Sequence, residues 1–267
     1  MKKLLQTALL LASTLSLSAN AGLLMAIDNR NDTLVSIDTD TLALTTIGNL
    51  GTNVAFGGLS YDSNSDTLYM VGGRNNENLY TVDMTTGNAS LVGSHGIRDL
   101  FAIAFDTTSG MLYGSQFSGG TGLFSLDVST GAATTINAAM ATGIGGMTYN
   151  AVSDILVGMN DGAGDLYNVN RANGDLTLLF DGPFVNNSGL AFDDEKDVYW
   201  SIDYSGNLFS YDNGNGFART TELSGLGNFD GLAYINESVT QPNDIPEPGA
   251  LALFALGLLG LRKVRRS

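Results

Sequence analysis

The sequence predicts an all-β protein, a five-bladed β-propeller closed by strands from both termini. Three observations lead to this fold: an internal repeat, four short strand-like runs in each copy, and an incomplete copy at each end. One register of the repeat is an acidic or amide residue that ends a short apolar run every 42–45 residues, at Asp38, Asp83, Asp127, Asn170 and Asp212. A second, independent register is an aromatic residue every 42–44 residues, at Tyr61, Phe105, Tyr149, Phe192 and Tyr234.

Each copy contains four short runs of β-type residues separated by turn residues, as at 58–61, 68–72, 79–83 and 89–92. Four strands in a period of about 40 to 45 residues is the size of a propeller blade. Leu79, Tyr80 and Val82 give one run apolar residues on both faces, which a sheet between two neighbouring sheets requires. The length of the repeat and the apolar pattern of its strands therefore predict propeller blades.

The two ends of the repeat complement each other. The N-terminal copy has three runs, near 23–28, 34–38 and 43–47, whereas the C-terminal copy has only the first, at 230–234. Together they complete one blade, which gives five blades and removes the exposed edges of an open array. A β-solenoid or a flat sandwich would also have short strands, but neither predicts a split repeat.

Two polar motifs of the repeat are typical of turns. The pattern Asp83-Met84-Thr85-Thr86-Gly87 recurs after the third strand of later copies, where an Asp or Asn side chain and a glycine suit a hairpin. The segment 62–66 resembles the opening of a calcium loop but lacks the glycine at the sixth position, where Thr67 stands. Calcium is an open possibility there, and no other cofactor is predicted.

Composition and charge exclude several functions. The chain has 12 basic and 27 acidic residues and a formal charge of −15, and six of those basic residues lie outside 22–244. A surface this acidic repels phosphate backbones, so nucleic-acid binding is not expected. The absence of cysteine excludes thiol catalysis and disulfides, and His95, the single histidine, would have to serve any Ser-His-Asp triad. No metal site is predicted.

Carboxylates and amides at one end of the ring are the candidate binding residues. The entry to each innermost strand and the hairpin between the second and third strands lie at the same end of a propeller, where ligands usually bind. Residues six and four positions before the aromatic register differ between blades. These positions and their neighbours in sequence predict a polar mouth. The hairpins add Asp28, Asp203 and Tyr204 to it. The proposed binding residues at this mouth are Arg98, Asp99, Asn186, Asn228 and Asp230.

The two ends of the chain resemble export signals. Lys2 and Lys3 precede an apolar stretch and a small-x-small cleavage pattern, which predicts a signal peptide at 1–21. We expect the propeller at 22–239 and a linker at 240–244. At 245–267, Pro246-Glu247-Pro248 is followed by an apolar run at 249–261 and a basic tail.

This order resembles the PEP-CTERM sorting signal, in which a Pro-Glu-Pro motif, a short membrane helix and basic residues are recognised by an exosortase, a membrane protease. The resemblance implies an exported precursor that is anchored transiently in the inner membrane and then reaches the cell surface or the exterior. It also implies a host that produces exopolysaccharide, as in biofilms.

Three functions are compatible with these features. The first is a non-enzymatic binding or scaffold protein of the cell surface or matrix, associated with exopolysaccharide or surface glycans. The second is a secreted carbohydrate-active enzyme of the glycoside hydrolase type, in which Asp99 and Asp230 are the paired carboxylates. The third is a structural coat component without a specific ligand. The sequence has no complete catalytic set, so no enzymatic activity and no catalytic residue are predicted.

Overall fold

The computed structural model describes residues 22–186 and 188–236. The predicted signal peptide, residues 237–239 of the predicted propeller, the linker and the sorting tail with its apolar run lie outside the described residues. Within the described part, twenty β-strands form five four-stranded antiparallel sheets, which confirms the five-bladed propeller. Its helical structure there is a single 3-10 turn, Asn213–Asn215, and no described helix is long and apolar enough to cross a membrane.

Each sheet is one blade, and its strands run from the axis of the ring outward. The closing blade contains β1 (Leu23–Asp28), β2 (Thr33–Asp38) and β3 (Leu44–Asn49). Blade I follows with β4 (Gly58–Asp62), β5 (Thr67–Val71), β6 (Asn78–Val82) and β7 (Ala89–Ser94). Blade II has β8 (Leu100–Asp106), β9 (Met111–Gln116), β10 (Leu123–Leu126) and β11 (Ala133–Asn137). Blade III has β12 (Gly146–Asn150), β13 (Ile155–Met159), β14 (Leu166–Val169) and β15 (Leu176–Phe180). Blade IV has β16 (Ser188–Asp193), β17 (Val198–Asp203), β18 (Leu208–Asp212) and β19 (Ala218–Leu223), and β20 (Phe229–Ile235) returns to the closing blade.

The closing blade joins the two ends of the described chain, as the split repeat predicts. Its strand order is β20-β1-β2-β3, and β20 pairs with β1 antiparallel from Leu23 opposite Ile235 to Asp28 opposite Phe229. This pairing covers the inner edge of β1, which an open array would expose.

The five innermost strands contact one another in ring order, β4 to β8, β12, β16, β20 and back to β4. Each contributes a small residue close to the axis: Gly58, Ala102, Gly146, Gly189 and Gly231. Added carbon atoms would collide there, because a Cβ on Gly58 would lie 2.5 Å from the carbonyl oxygen of Phe101. The remaining axial cavity has a volume of about 10 Å³, about the space that one water molecule needs. The propeller therefore has a closed axis.

The hydrophobic core is divided into five clusters, each between two adjacent blades. In blade I, for example, Met70 packs toward the closing blade while Val71 packs toward blade II. Successive residues of a strand point to opposite faces, so a strand that is apolar at both positions can pack on two neighbours. The apolar pattern on both faces predicted this arrangement.

The repeated Asp-x-x-x-Gly motif forms the hairpin between the third and fourth strands, as predicted. The carboxylate of Asp83 accepts hydrogen bonds from the backbone amides of Thr85 and Thr86 at 2.8 and 2.9 Å. Gly87 has a φ of 81°, and its backbone packs directly on Gly48 at the end of β3 in the preceding blade. The same contact joins Gly131 to Gly93 in the next pair of blades. The hairpin is thus also a contact between blades.

Alanine at Gly48 or Gly93 should destabilise the ring, because a Cβ at either position collides with a backbone carbonyl oxygen of the adjacent hairpin. Forcing extra atoms into such a contact costs about 1–3 kcal/mol, which lowers the melting temperature by several degrees in a domain of this size. Thermal unfolding of each variant measures the change. Gly214→Ala is the matched control, since a Cβ there meets atoms only at 3.5 Å and beyond. Equal melting temperatures for all three variants would contradict the interblade contact.

Candidate functional site

The entries to the innermost strands and the hairpins between second and third strands lie at one end of the ring, called the mouth here. In blade IV the amide of Tyr204, in the β17–β18 hairpin, donates to the carbonyl of Asn186 at 2.8 Å. In the closing blade the amide of Asn29, in the β1–β2 hairpin, donates to the carbonyl of Asn228 at 3.0 Å. The hairpins are therefore bonded to the strand entries that carry the predicted site residues.

Asn186 and Asn228 meet around Tyr204. The side-chain amide of Asn228 donates to the Tyr204 carbonyl at 3.1 Å, and its Oδ1 accepts from Nε of Arg30 at 2.5 Å. Nδ2 of Asn186 donates to Oγ of Ser205 at 3.0 Å. Two of the predicted binding residues thus position a hairpin whose tyrosine is half-buried at the mouth.

Asp230 is a buried carboxyl group with one unpaired oxygen. Its Oδ1 accepts the amide of Gly231 at 2.9 Å, whereas Oδ2 is buried and has no hydrogen-bond partner within the described chain. Burial, together with the charge of Asp161, raises the pKa of Asp230 well above its ordinary value. Gly231 has a φ of 50° and is the extra residue of a bulge between β20 and β1. Bulges re-aim side chains, and this one follows the buried carboxyl.

Asp99 is buried as well, although the adjacent Arg98 is exposed. Asp99 has a φ of 56°, and its Oδ1 has no hydrogen-bond partner within the described chain. Its Oδ2 lies 3.7 Å from Nε of Arg98, whose side chain is 73% exposed. A pair this long and this open to water contributes little to stability.

The two carboxylates of the enzyme hypothesis stand on blades that are not adjacent. Asp99 precedes β8 and Asp230 lies in β20, and the innermost strand β4 contacts both of these strands. Both residues are nearly inaccessible, at 3% and 4% exposure. The structure thus brings both carboxyl groups to the mouth but buries them beneath its surface.

Four aromatic rings form a continuous row across the mouth, called the aromatic row here. The ring of Phe56 lies 4.8 Å from Tyr204 and 5.4 Å from Phe101, and Phe101 lies 6.1 Å from Phe117. Phe101 is buried, whereas the other three rings are half-exposed. These separations are those of stabilising aromatic contacts. The row links blades IV, I and II.

Arg74 lies on this row. Its guanidinium carbon is 4.5 Å from the ring centre of Phe56 and 5.6 Å from that of Phe101, which is the geometry of a cation–π interaction. Phe56 has a φ of 59°, which is rare and costly for a bulky residue. Strained conformations of this kind concentrate at functional sites.

Sequence reasoning placed Tyr204 and Phe101 at the mouth but did not predict that aromatic rings form a row there. Phe101 stood at one of the counted positions and was given no role. Phe56 lies one residue from a counted position, and Phe117 directly follows β9. The available signal was the presence of large aromatic residues in polar strand entries and hairpins, where turn residues are the rule.

A polar groove opens on blade I, beside Arg74 along the chain. It has a volume of about 490 Å³ and is lined by Thr52, Asn53, Asn75, Asn76, Glu77, Asn78 and Tyr80. Its amides are held by one another. Asn76 donates to the carbonyl of Asn53 at 2.9 Å, and its Oδ1 accepts from the hydroxyl of Tyr80 at 3.1 Å. The groove is therefore preorganised.

Other polar residues that the sequence singled out stabilise turns. Asp28 accepts from the backbone of Arg30 at 2.9 Å, and Asp203 accepts from the backbone of Asn207 at 2.9 Å. In the loop that resembles a calcium site, the carboxylate of Asp62 accepts from the amide of Asn64 at 2.9 Å and the hydroxyl of Ser65 at 2.6 Å. The described residues contain no group of three or more acidic or histidine side chains arranged to hold a metal ion.

His95 holds the loop between blades I and II. Its Nδ1 accepts the amide of Ile97 at 3.1 Å, and burial lowers its pKa to about 4. The ring is therefore neutral at physiological pH and is engaged in its own loop, which does not favour a role in a catalytic triad.

The C-terminal tail matches a known signal. Residues 244–267 match the PEP-CTERM protein-sorting motif. The motif marks an exported, membrane-anchored precursor destined for the cell surface and implies processing by an exosortase, which confirms the resemblance seen in the tail. The matched family is a sorting signal and identifies no catalytic family in the chain.

Solved structures share the fold. A chain in the crystal structure of a nidogen/laminin complex is 10% identical with a TM-score of 0.55, and the alignment covers 79% of this chain and 81% of that one. A structural genomics protein of unknown function from Bacteroides thetaiotaomicron is 16% identical with a TM-score of 0.55, over 76% of this chain and 55% of that one. Such low identities show the fold alone. No curated protein matches the sequence.

Replacing Asp230 with Asn should stabilise the protein at neutral pH. A carboxyl group whose pKa is raised by folding contributes stability below its unfolded pKa of about 3.9, and this contribution is lost as pH rises toward the folded pKa. Asn has nearly the same shape and no charge. The melting temperature of Asp230→Asn should therefore exceed that of the parent at pH 7, and the difference should shrink toward pH 4.

The control is Asp203→Asn, because Asp203 is equally buried but its carboxylate is hydrogen-bonded to Asn207. It should gain no stability at pH 7. An Asp230→Asn variant whose melting temperature follows that of the parent at every pH would refute the assignment of a raised pKa.

Replacing Pro246 and Pro248 with alanine should block processing at the tail. Both prolines belong to the matched sorting motif, which implies processing by an exosortase. The intact mass of the protein in membrane and surface fractions of its host measures the outcome. The double variant should remain in the membrane fraction at the precursor mass, while Pro242→Ala, four residues upstream of the motif, should be processed. Normal release of the double variant would mean that the motif is not the recognition element.

Proposed function

We propose that the protein is a non-enzymatic binding protein of the cell surface that holds exopolysaccharide or surface glycans at the mouth of its propeller. The observation that carries the proposal is the aromatic row of Phe56, Phe101, Phe117 and Tyr204. Export to the surface puts such a site where these polymers are.

The chemistry of the row suits sugars. A pyranose ring has an apolar C–H face and a rim of hydroxyl groups, so it stacks on aromatic rings and needs hydrogen-bonding groups around them. The half-exposed rings of Phe56, Phe117 and Tyr204 offer the stacking surface, and Asn186 and Asn228 lie around Tyr204. Ligand sites commonly combine apolar walls with a few fixed polar groups.

The groove on blade I extends this chemistry. Its lining includes Asn53, Asn75, Asn76 and Asn78, and side-chain amides donate and accept hydrogen bonds as sugar hydroxyls do. Because Asn76 is already fixed by Asn53 and Tyr80, the lining loses little conformational entropy on binding. The groove thus offers a second place on blade I where sugar hydroxyls can be hydrogen-bonded.

The closed axis defines how a polymer would bind. With an axial cavity of about 10 Å³, nothing larger than water enters the centre of the ring. A polysaccharide would therefore lie across the mouth, which suits a scaffold that holds a long chain at internal positions.

A carbohydrate-active enzyme is the second candidate, favoured by the state of Asp230. Burial raises the pKa of this carboxyl, and a raised pKa is what a glycosidase needs in its general acid. Asp99 would be the second carboxylate. This candidate requires a movement at the mouth that gives a substrate access to two groups that are nearly fully buried.

Removing one ring of the row should weaken glycan binding. Tyr204→Ala in the full-length chain should bind exopolysaccharide from its host about two- to tenfold more weakly, since an aromatic contact is worth about 0.5–1.5 kcal/mol and 1.4 kcal/mol is tenfold. Calorimetry with and without calcium measures the affinity. Tyr61→Ala is the control, because Tyr61 is also half-buried but lies near the end of β4 that is remote from the mouth.

The same mixtures, followed for released reducing ends, separate the candidates. Binding without release supports the scaffold. If reducing ends are released by the parent but not by the double variant Asp99→Asn and Asp230→Asn, the protein is an enzyme and the scaffold proposal is wrong. Neither binding nor release, with self-assembly that depends on concentration, would overturn both in favour of a structural coat.

A further inference from the structure

The few basic residues of this acidic protein are unevenly distributed. Six lie in the described part of the chain, and two of them are neutralised by ion pairs between blades. Arg171 pairs with Asp106 at 2.5 Å, and Lys196 pairs with Asp40 at 2.6 Å. Arg219 is half-buried on β19 and packs on the ring of Phe209 at 4.5 Å.

The other three are exposed arginines at the mouth: Arg30, Arg74 and Arg98. Arg30 and Arg74 stand in the hairpins between second and third strands of adjacent blades, 44 residues apart, so they occupy equivalent positions of the repeat. Arg98 stands at the entry to β8 in the next blade. Three consecutive blades therefore each place a guanidinium group at one end of the ring.

A chain of contacts connects Arg30 and Arg74 through the aromatic row. Nε of Arg30 donates to Asn228 at 2.5 Å, and Asn228 donates to the carbonyl of Tyr204 at 3.1 Å. Tyr204 contacts Phe56, on which Arg74 lies. The two cations thus stand on the same continuous surface as the stacking rings.

Arg98 joins the other end of the row. Its carbonyl accepts the side-chain amide of Gln116 at 2.9 Å, and the amide of Phe117 donates to the carbonyl of Asp99 at 3.3 Å. Phe117 is the last ring of the row. Gln116, which precedes Phe117, and the backbone of Phe117 therefore both hold the strand entry that carries Arg98.

Buried polar atoms without partners concentrate at the same mouth. Within the described residues they include both side-chain atoms of Asn29, Oδ1 of Asp99 and Oδ2 of Asp230. Buried polar groups are nearly always paired in folded proteins, because an unpaired group costs about 1–3 kcal/mol. Asn29 lies next to Arg30, so unsatisfied hydrogen-bonding capacity and positive charge occur together.

We propose that the mouth binds the acidic sugars of an anionic polysaccharide, with Arg30, Arg74 and Arg98 holding carboxylates of uronate units at successive places along the aromatic row and the rings of the row stacking on the sugars. The proposal deepens the proposed function and rests on it. Guanidinium groups bind carboxylates in a planar, bidentate fashion, which makes arginine the residue suited to this recognition. Asn186 and Asn228, which lie around Tyr204, offer amide groups to the hydroxyl groups of a sugar stacked there.

The acidic charge of the protein limits where an anionic polymer can bind. A net charge of −15 repels an anionic polymer from the protein as a whole, so binding at the mouth depends on the three exposed arginines there. Binding of the acidic sugar should weaken with added salt, because exposed charges are screened within about 10 Å at 0.1 M.

The test compares two hexasaccharides with the full-length chain: 1,4-linked glucuronate and 1,4-linked glucose, which differ only in the carboxylate at C6. Calorimetry should show at least tenfold tighter binding of the glucuronate hexamer. Arg74→Gln should remove most of this preference, and Arg30→Gln should reduce it. Arg219→Gln removes the same charge away from the mouth and should leave the preference unchanged.

The outcomes separate the inference from the proposed function. Equal affinity for both hexamers, unchanged in Arg74→Gln but lowered in Tyr204→Ala, would overturn the acidic-sugar inference and leave the glycan-binding function standing. A preference for glucuronate that Arg219→Gln removes as strongly as Arg74→Gln would also overturn it, because the effect would come from total charge. If the protein bound neither hexamer and no host exopolysaccharide, both the acidic-sugar inference and the glycan-binding function would be overturned.

Discussion

The packing of each blade between two neighbours is the constraint on which the whole structure depends. No described blade has a core of its own, because all five apolar clusters lie between adjacent blades. A blade at an open end would expose one apolar face, so the ring is stable only when closed. This explains why β20 and β1 share a sheet. Their pairing completes the closing blade, which then packs on blade I at one face and on blade IV at the other. A ring closed in this way is rigid, and its strand entries can vary without affecting the core.

The closed ring also limits where function can reside. At the axis, Gly58, Gly189 and Gly231 permit strands to approach until their backbones touch, which removes the central channel. At the outer edge, the hairpin glycines serve the packing of blades. The mouth is left as the region where the five copies differ in chemistry, with an aromatic entry before β4, an acidic one before β8 and an amide before β16.

Much of this architecture could be predicted from the sequence, because the repeat encodes it. The residue that recurs as Asp83 ends a strand in every copy, and the split copy requires closure. The entries that carry Asp99, Asn186, Asn228 and Asp230 could be counted for the same reason. The aromatic row could not, since Phe56, Phe117 and Tyr204 come from an entry and two hairpins on three blades, and only the curvature of the ring brings them together. The equivalence of Arg30 and Arg74 was present in the repeat, but their relation to the row was not.

Asp230 shows why the mouth is more than a consequence of the fold. The buried acids that end innermost strands at the far end of the ring are paired: Asp106 binds Arg171, and Asp193 accepts the amides of Glu195 and Lys196. Burial pushes the pKa of Asp106 upward, but hydrogen bonds from Ser109 and Arg171 outweigh this and lower it. Asp230 has only the amide of Gly231 and is raised instead. A neutral residue would serve the closing blade better, and proteins depart from such local consistency chiefly at functional sites. Asp230 therefore marks the mouth as the place where the chain departs from the pairing that its repeat provides elsewhere.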